Sequence, residues 1–336
     1  MDKIKLGVIY GGMSTENEVS VKSAKSVMKN LDNNKYQIFP IYISKEGIWF
    51  LDENEQQEIE NITKYLKNMD IIFPVLHGLY GEDGTIQGLF ELLKIPYVGC
   101  KVLASSVGMD KVYTKIVFEK AGIKQAKYQY IRKSEKGYIF INDDLDEKVL
   151  KLEDIIEILE KNLKYPMFIK PSNSGSSVGV NKAVNKDELQ KYIEEASKYD
   201  KKILIEEGII GREVECAVLG NDEVIASCVG EVKSAEEFYS YDAKYNNNES
   251  RTDIPANITK EKSEEIRNLA IKAFKAIDGT GLSRVDFFIE NETNQVFINE
   301  INTLPGFTNI SMYPKLFENV GISYKKLLDR LIDLAK

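Results

Sequence analysis

The chain has 336 residues, 43% of them hydrophobic and 29% charged, and carries a net charge of −8. That length exceeds a comfortable single domain, so about two or three domains are expected, and the acidic balance argues against nucleic acid as a partner, because phosphate-backbone affinity needs a basic face. One histidine, His77, and three irregularly spaced cysteines, Cys100, Cys216 and Cys228, set aside a histidine-based metal site, a Ser-His-Asp triad, a zinc site and a disulfide framework. No apolar stretch is long enough to span a bilayer, and the run before Gly11 is too short for a signal peptide. A cytoplasmic protein without membrane contacts is expected.

Ile4 to Tyr10 is a short apolar run, read as a buried parallel strand, followed by Gly11-Gly12 and then helical spacing from Val19 to Leu31. Strand, glycine turn and helix open a doubly wound sheet, in which ligands bind where the strand's carboxyl end meets the helix N-terminus. No G-x-G-x-x-G is present, so no dinucleotide is inferred. Glu16 sits in this loop, either complementing the helix dipole or receiving a ligand's ammonium group. Gln37 to Ile43 and Ile71 to Leu76 are further strands. The second of these runs into His77 to Thr85, whose glycines at 78, 81 and 84 point to backbone packed close against a ligand or another loop. Ile86, Leu89, Phe90 and Leu93 then mark a helix.

From Leu103 the pattern changes: a helix through Val112, Ile116 and Phe118, a strand from Ala126 to Ile131 and a helix from Leu152 to Leu163. Pro166 to Pro171 is a strand ending in Lys170, and the small-residue loop Ser172 to Val180 follows it. Such a loop can cover phosphates with backbone N–H groups while the lysine neutralises them, although a plain Ser/Gly hairpin has the same composition. It is not a Walker loop, because the lysine precedes the glycines. Strands follow at Ile203–Glu207, Val214–Leu219 and Val224–Glu231.

Residues 233–253, carrying Tyr239, Tyr241, Lys244 and Tyr245, make a loop about as long as a compact domain holds without a function such as a lid. A long amphipathic helix through Ile266, Leu269, Ala273 and Ile277 leads to a hairpin from Arg284 to Asn302, and a last helix runs from Tyr324 to Leu334. In the hairpin Val285, Phe287 and Ile289 alternate along one strand, and Phe297 and Ile301 along the other. Asp286 then leaves the opposite face, as do Glu300 and Asn302. With a turn about Thr293, Asp286 lies across from Glu300, though register is not readable from sequence. Two carboxylates and an amide oxygen suit a hard cation such as Mg²⁺; an ordinary acidic, half-solvated sheet face has the same pattern.

Taken together, the segments GG-x-S-x-E-x-EVS, HG-x-x-GEDGT-x-QG, MDK, KP-x-x-x-GSSVG, EFY-x-Y-x-AKY, RVDFF and NE-x-NT-x-PG, with Ser311 after them, resemble the D-alanine–D-alanine ligases of the ATP-grasp superfamily. The likeness runs in order over nearly the whole chain. It implies three α/β domains: a Rossmann-like N-terminal one over 1–101, a central ATP-grasp subdomain over 102–207 and a C-terminal one over 208–336 with a lid at 233–253. It further implies ATP and two Mg²⁺ ions, with Mn²⁺ as a substitute, and a homodimer whose ligands are the small molecules D-alanine and ATP. By the resemblance, Lys111, Lys170 and the lid's Lys244 serve ATP, Glu206, Ile209 and Glu213 surround adenine and ribose, and Asp286, Glu300 and Asn302 hold the metals. Glu16 takes the ammonium of the first D-alanine and forms a latch with Ser176 and Tyr245. Arg284 and the Gly306 N–H face the oxyanion, and Arg284 and Ser311 hold the second D-alanine's carboxylate. The implied reaction joins two D-alanines through an acyl phosphate, releasing ADP and phosphate, for peptidoglycan precursors.

Two departures bear on specificity. The glycine loop reads NSGSS where some members carry a charge, which matters little if backbone groups do the cradling. Met312 stands where many members have leucine, a nearly volume-conserving change. The resistance ligases that use D-serine or D-lactate as acceptor tend to carry arginine there, and the D-lactate forms commonly histidine at the position of Tyr245, so D-alanine is the expected acceptor.

Overall fold

The structure is a computed structural model and describes residues 3–142, 144–233 and 251–336. Three sheets carry it. In the first, β1 (Ile4–Gly11), β2 (Tyr36–Ile43), β3 (Trp49–Phe50) and β4 (Ile71–Pro74) stand in the order β3-β2-β1-β4, with β1 parallel to both neighbours. The continuous apolar run of β1 is explained by cover on both faces: Leu6, Val8 and Tyr10 enter one buried cluster, and Ile9 with Ile41 and Ile72 enters another. Around it lie α1 (Asn17–Asn30), α2 (Ile62–Leu66) and α3 (Thr85–Leu93). Next come α4 (Val102–Met109) and α5 (Lys111–Lys120), whose Ala104 and Phe118 belong to the core of the third sheet.

The second sheet is wholly antiparallel, β7-β6-β5-β10-β8-β9. It is built from β5 (Tyr128–Ser134), β6 (Gly137–Ile141), β7 (Glu147–Leu150), β8 (Met167–Pro171), β9 (Asn181–Ala183) and β10 (Lys202–Glu207). Ile131, Ile169, Ile203 and Ile205 pack one face of it onto α6 (Leu152–Asn162) and α7 (Lys186–Ala196). The other face is left for the site.

The third sheet runs β13-β12-β11-β14-β15, again antiparallel. Its strands are β11 (Gly211–Gly220), β12 (Ile225–Lys233), β13 (Arg251–Asp253), β14 (Gly281–Glu290) and β15 (Val296–Asn302). α8 (Lys260–Ala276) covers Val214, Cys216, Val285 and Phe287. Ala217, Leu219 and Leu282 instead share a cluster with the first sheet through α9 (Met312–Asn319) and α10 (Tyr324–Leu334).

Three sequence expectations change. The last residues of the predicted 233–253 loop, Arg251–Asp253, are strand β13, paired with β12; residues 234–250, with Lys244 and Tyr245, lie outside the described residues. Phe297 is not a core partner of Ile301. Ile298 pairs with Phe287 and Glu300 with Asp286, so Asn299 is an extra, bulged residue, and the core face is Val296, Ile298 and Ile301. Finally, β6, β7, β9, α4, α7 and α9 are elements that the sequence reading passes over.

Candidate active site

Glu16 precedes α1, yet its side chain does not cap that helix. The carboxylate instead accepts a short hydrogen bond from the Ser176 hydroxyl, so a loop of the first sheet is tied to the phosphate-type loop of the second. Two glycines leave room for it. A Cβ on Gly78 or on Gly175 would stand 2.7 or 2.9 Å from Glu16 Oε2. Ser176 and Ser177 sit at φ +49° and +59°, a left-handed conformation rarely taken by non-glycine residues and concentrated at functional sites. His77 is buried behind this loop, with Nε2 3.1 Å from Ser23 Oγ, and that oxygen accepts from Phe307 N at 3.3 Å. The single histidine therefore braces the turn at Gly306.

Asp110 and Lys111 open α5. Asp110 Oδ1 caps the helix, accepting from Val112 N and Tyr113 N, and also accepts from Ser172 Oγ at 2.6 Å. Lys111 donates through Nζ to the Ser174 carbonyl at 2.5 Å and lies 4.0 Å from Glu300 Oε2. These contacts hold the MDK segment against the KPSNSG segment.

Lys170 ends β8 beside Glu206 of β10, Nζ to Oε1 2.5 Å. The second Glu206 oxygen is 2.7 Å from Nζ of Lys115, a buried residue that sequence reasoning missed. Its signal is the four-residue spacing from Lys111, which puts both on one face of α5. Burial alone would raise the Glu206 carboxyl, but Lys115 and Lys170 outweigh it and hold it at about 2. Gly108, Lys111, Lys115, Lys170, Glu206 and Glu300 are among the residues that line one cavity. Glu213 is half-buried on β11 and contributes to the field that raises the Lys170 ammonium against its burial. Ile209 is half-buried just before β11.

On the third sheet the expected pairing holds: Asp286 faces Glu300, and Arg284 faces Asn302. The Arg284 fork donates to both Asp286 oxygens at 2.7 Å, and its Nε is 3.1 Å from Oε2 of Glu215, which lies directly opposite Asp286 on β11. Burial works against the guanidinium's charge, but Asp286 and Glu215 carry its pKa above the ordinary range. Glu215 was also missed. It stands two residues after Glu213, hence on the same strand face. Among the described residues no group of three or more His, Cys, Asp or Glu side chains is gathered around a metal position. The donor set at this edge is two carboxylates and the Asn302 amide oxygen, which also accepts from Leu304 N at 3.0 Å. Those hard oxygen donors fit a divalent cation, with Asp286 then shared between cation and Arg284.

Gly306 and Ser311 meet: a Cβ on Gly306 would be 2.9 Å from Ser311 Oγ, and that hydroxyl accepts from Thr308 N at 2.9 Å. Met312 is buried in the core, its methyl carbon 2.5 Å from where a Gly230 Cβ would stand.

The family model for the D-ala D-ala ligase N-terminus matches residues 5–67 and 55–100, and that for the C-terminus matches 117–333. The chain is 50% identical to a D-alanine–D-alanine ligase of Acetivibrio thermocellus, with 99% of this chain and 96% of that one covered. Against D-alanine–D-alanine ligase B of Clostridium tetani it is 51% identical, covering 100% and 94%. Among solved structures, the VanG D-Ala:D-Ser ligase of Enterococcus faecalis superposes with a TM-score of 0.86 at 36% identity, covering both chains fully. The D-alanine–D-alanine ligase of Coxiella burnetii gives 0.82 at 34%, covering 100% of this chain and 94% of that one. With both family models matched and relatives of this identity along the full length, the chain belongs to the D-alanine–D-alanine ligase family and has its three-domain ATP-grasp fold.

Proposed function

We propose that this protein joins two D-alanines to D-alanyl-D-alanine at the expense of ATP, for cell-wall precursor synthesis. The observation that carries the reading is the cavity in which Lys111, Lys170, Glu206 and Glu300 converge from four separate elements. The proposed domains are 1–101, 102–207 and 208–336, with α4 and α5 reaching across to the third sheet. The proposed setting is a cytoplasmic homodimer; among the described residues no helix is long and apolar enough to cross a membrane.

Phosphoryl transfer asks mainly for positioning and charge neutralisation. Lys111 and Lys170 serve the phosphates, Glu206, Ile209 and Glu213 the adenine and ribose, and Lys244 is a further ATP contact by the family resemblance. Asp286, Glu300 and Asn302 would hold two Mg²⁺ ions, or Mn²⁺ in their place. Bound there, the cations supply Lewis-acid neutralisation of the phosphate oxygens. A carboxylate oxygen of the first D-alanine bonds to the γ-phosphorus as the bond to ADP breaks. The amine of the second then bonds to the acyl carbon, loses a proton, and expels phosphate. Glu16 takes the first ammonium, Ser176 and Tyr245 complete the latch, and Arg284 with the Gly306 N–H faces the developing oxyanion. Arg284 and Ser311 grip the second carboxylate.

The test is release of ADP and phosphate from purified protein with Mg-ATP and D-alanine alone, then with D-serine or D-lactate added. Strong turnover on D-alanine alone, giving the dipeptide, is expected. Turnover that rises sharply only with the second compound would instead favour a D-alanine–D-serine or D-alanine–D-lactate ligase. A hydrophobic pocket rejects an added hydroxyl by only ~10², so some D-serine side activity is expected.

A further inference from the structure

Three ammonium groups, of Lys111, Lys115 and Lys170, and two carboxylates, of Glu206 and Glu300, line the phosphate cavity. Glu206 is the most enclosed of the carboxylates and is ion-paired twice, to Lys170 through Oε1 and to Lys115 through Oε2. One of those partners would suffice. Two buried cations therefore share one buried anion, so one of them can leave it for another anion without stranding the carboxylate.

Lys115 and Lys170 are not equivalent in that arrangement. Lys115 rises from the middle of α5, with only 4% of its side chain exposed, and its Nζ lies 5.2 Å from the centroid of the Tyr128 ring. Lys170 is 14% exposed at the end of β8, with Asn299 Oδ1 3.4 Å from its Nζ as a further partner. Glu300 and Glu213 also act on Lys170, whereas Lys170 itself is the group beyond Glu206 that acts on Lys115. Lys170 is therefore the member able to turn toward phosphate, and Lys115 the member that stays.

We infer that Lys115 is a positioning residue for nucleotide binding, holding the Glu206 carboxylate so that Lys170 is released to the nucleotide's phosphates. This deepens the proposed function and rests on its reading of Lys170 as a phosphate contact. Without the Lys115 charge, a departing Lys170 would strand Glu206 as a buried, unpaired anion. Lys170 would then stay on Glu206 and ATP would bind poorly. The effect belongs to ATP and not to D-alanine, whose candidate contacts at Glu16 and Ser311 do not touch Lys115.

The test measures ATP dissociation constants by calorimetry, and KM for ATP and for D-alanine, on four variants of the full chain. Lys115→Met is expected to weaken ATP about ten- to a hundredfold, the order of cost of leaving one buried charged group without its partner, with KM for D-alanine unmoved. Lys115→Arg keeps the charge and should keep most of the affinity. Lys115→Met combined with Glu206→Gln keeps a side-chain oxygen for adenine or ribose, removes the charge that traps Lys170, replaces the buried pair with neutral groups, and should recover about tenfold over Lys115→Met alone. Wild-type ATP affinity in Lys115→Met overturns the inference, as does an equal loss for both substrates that the double variant does not relieve. Lys170→Ala separates the two readings. If it weakens ATP while Lys115→Met does not, only the inference falls; if it leaves ATP binding unchanged, the phosphate-site reading falls with it.

Discussion

The glycines of the HG-x-x-GEDGT-x-QG segment are not interchangeable, and two of them make a paired experiment. Gly78 lies at φ +74°, and a Cβ there would stand 2.7 Å from Glu16 Oε2 and 3.3 Å from Ser14 Cβ. Alanine at 78 incurs about 1–2 kcal/mol for a left-handed non-glycine residue. It also pushes the Glu16 carboxylate off the Ser176 hydroxyl, a charge-assisted bond of about 1.5–3 kcal/mol. If the displaced carboxylate relaxes into a new contact, the first cost alone remains in the stability, but the misplacement stays in the function. Gly78→Ala should therefore lose about 1–5 kcal/mol in urea unfolding, and the D-alanine concentration for half-maximal rate should rise about tenfold or more. Gly88, ten residues on in α3, has nothing within 4 Å of a built Cβ, so Gly88→Ala should gain about 0.5–1 kcal/mol from helix propensity. Both variants are measured side by side. A Gly78→Ala enzyme with an unchanged D-alanine requirement would refute the placing of Glu16 at the substrate ammonium. Equal damage from both would refute the steric reasoning.

Three further outcomes follow from other parts of the chain. Glu300→Ala should abolish ADP release while the unfolding free energy moves by no more than about 0.5 kcal/mol, because this carboxylate is one-third exposed and packs no core; an active variant would sink the metal assignment. The Glu206 carboxyl is depressed from 4.5 to about 2, so its stabilisation is complete above its unfolded value and is lost as pH falls from about 4.5 toward 2. Acid titration of Glu206→Gln should accordingly show a shallower loss of stability over that window, and an unchanged slope would count against the double ion pair. Gly230→Ala places a Cβ 2.5 Å from Met312 Cε and 2.8 Å from Leu316 Cδ2, an overpacking cost of about 1–3 kcal/mol. Met312→Ala in the same chain should recover part of that cost, and strict additivity of the two changes in chemical unfolding would show that they do not touch.

Whether a feature was legible in the sequence depended on how local its signal is. The apolar run of β1 and the three- and four-residue spacings of α1 and α8 need no distant partner to be seen. The edge strands β7 and β9 are short and half-solvated, so alternation in them is weak. α7 was legible and went unread: Leu189, Ile193 and Ala196 are spaced four and three apart and all are buried. At the site, groups that meet a ligand directly stand in recognisable segments, whereas Lys115 and Glu215 act through Glu206 and Arg284, which reach them only after the second and third sheets have formed.

The bulge at Asn299 shows where local reasoning reaches its limit. Under strict alternation Val296, Ile298, Glu300 and Asn302 would share a face, and with Ile298 in the core the two polar side chains would be buried beneath the sheet. One extra residue breaks the period, so that Ile298 and Ile301 both point inward while Glu300 and Asn302 turn to the site opposite Asp286 and Arg284. The same residue offers Lys170 its amide oxygen. Two inward isoleucines three apart in one strand cannot be accommodated without such a bulge. That spacing was in the sequence, and it is the physical mark of a strand that serves a core and a site at once.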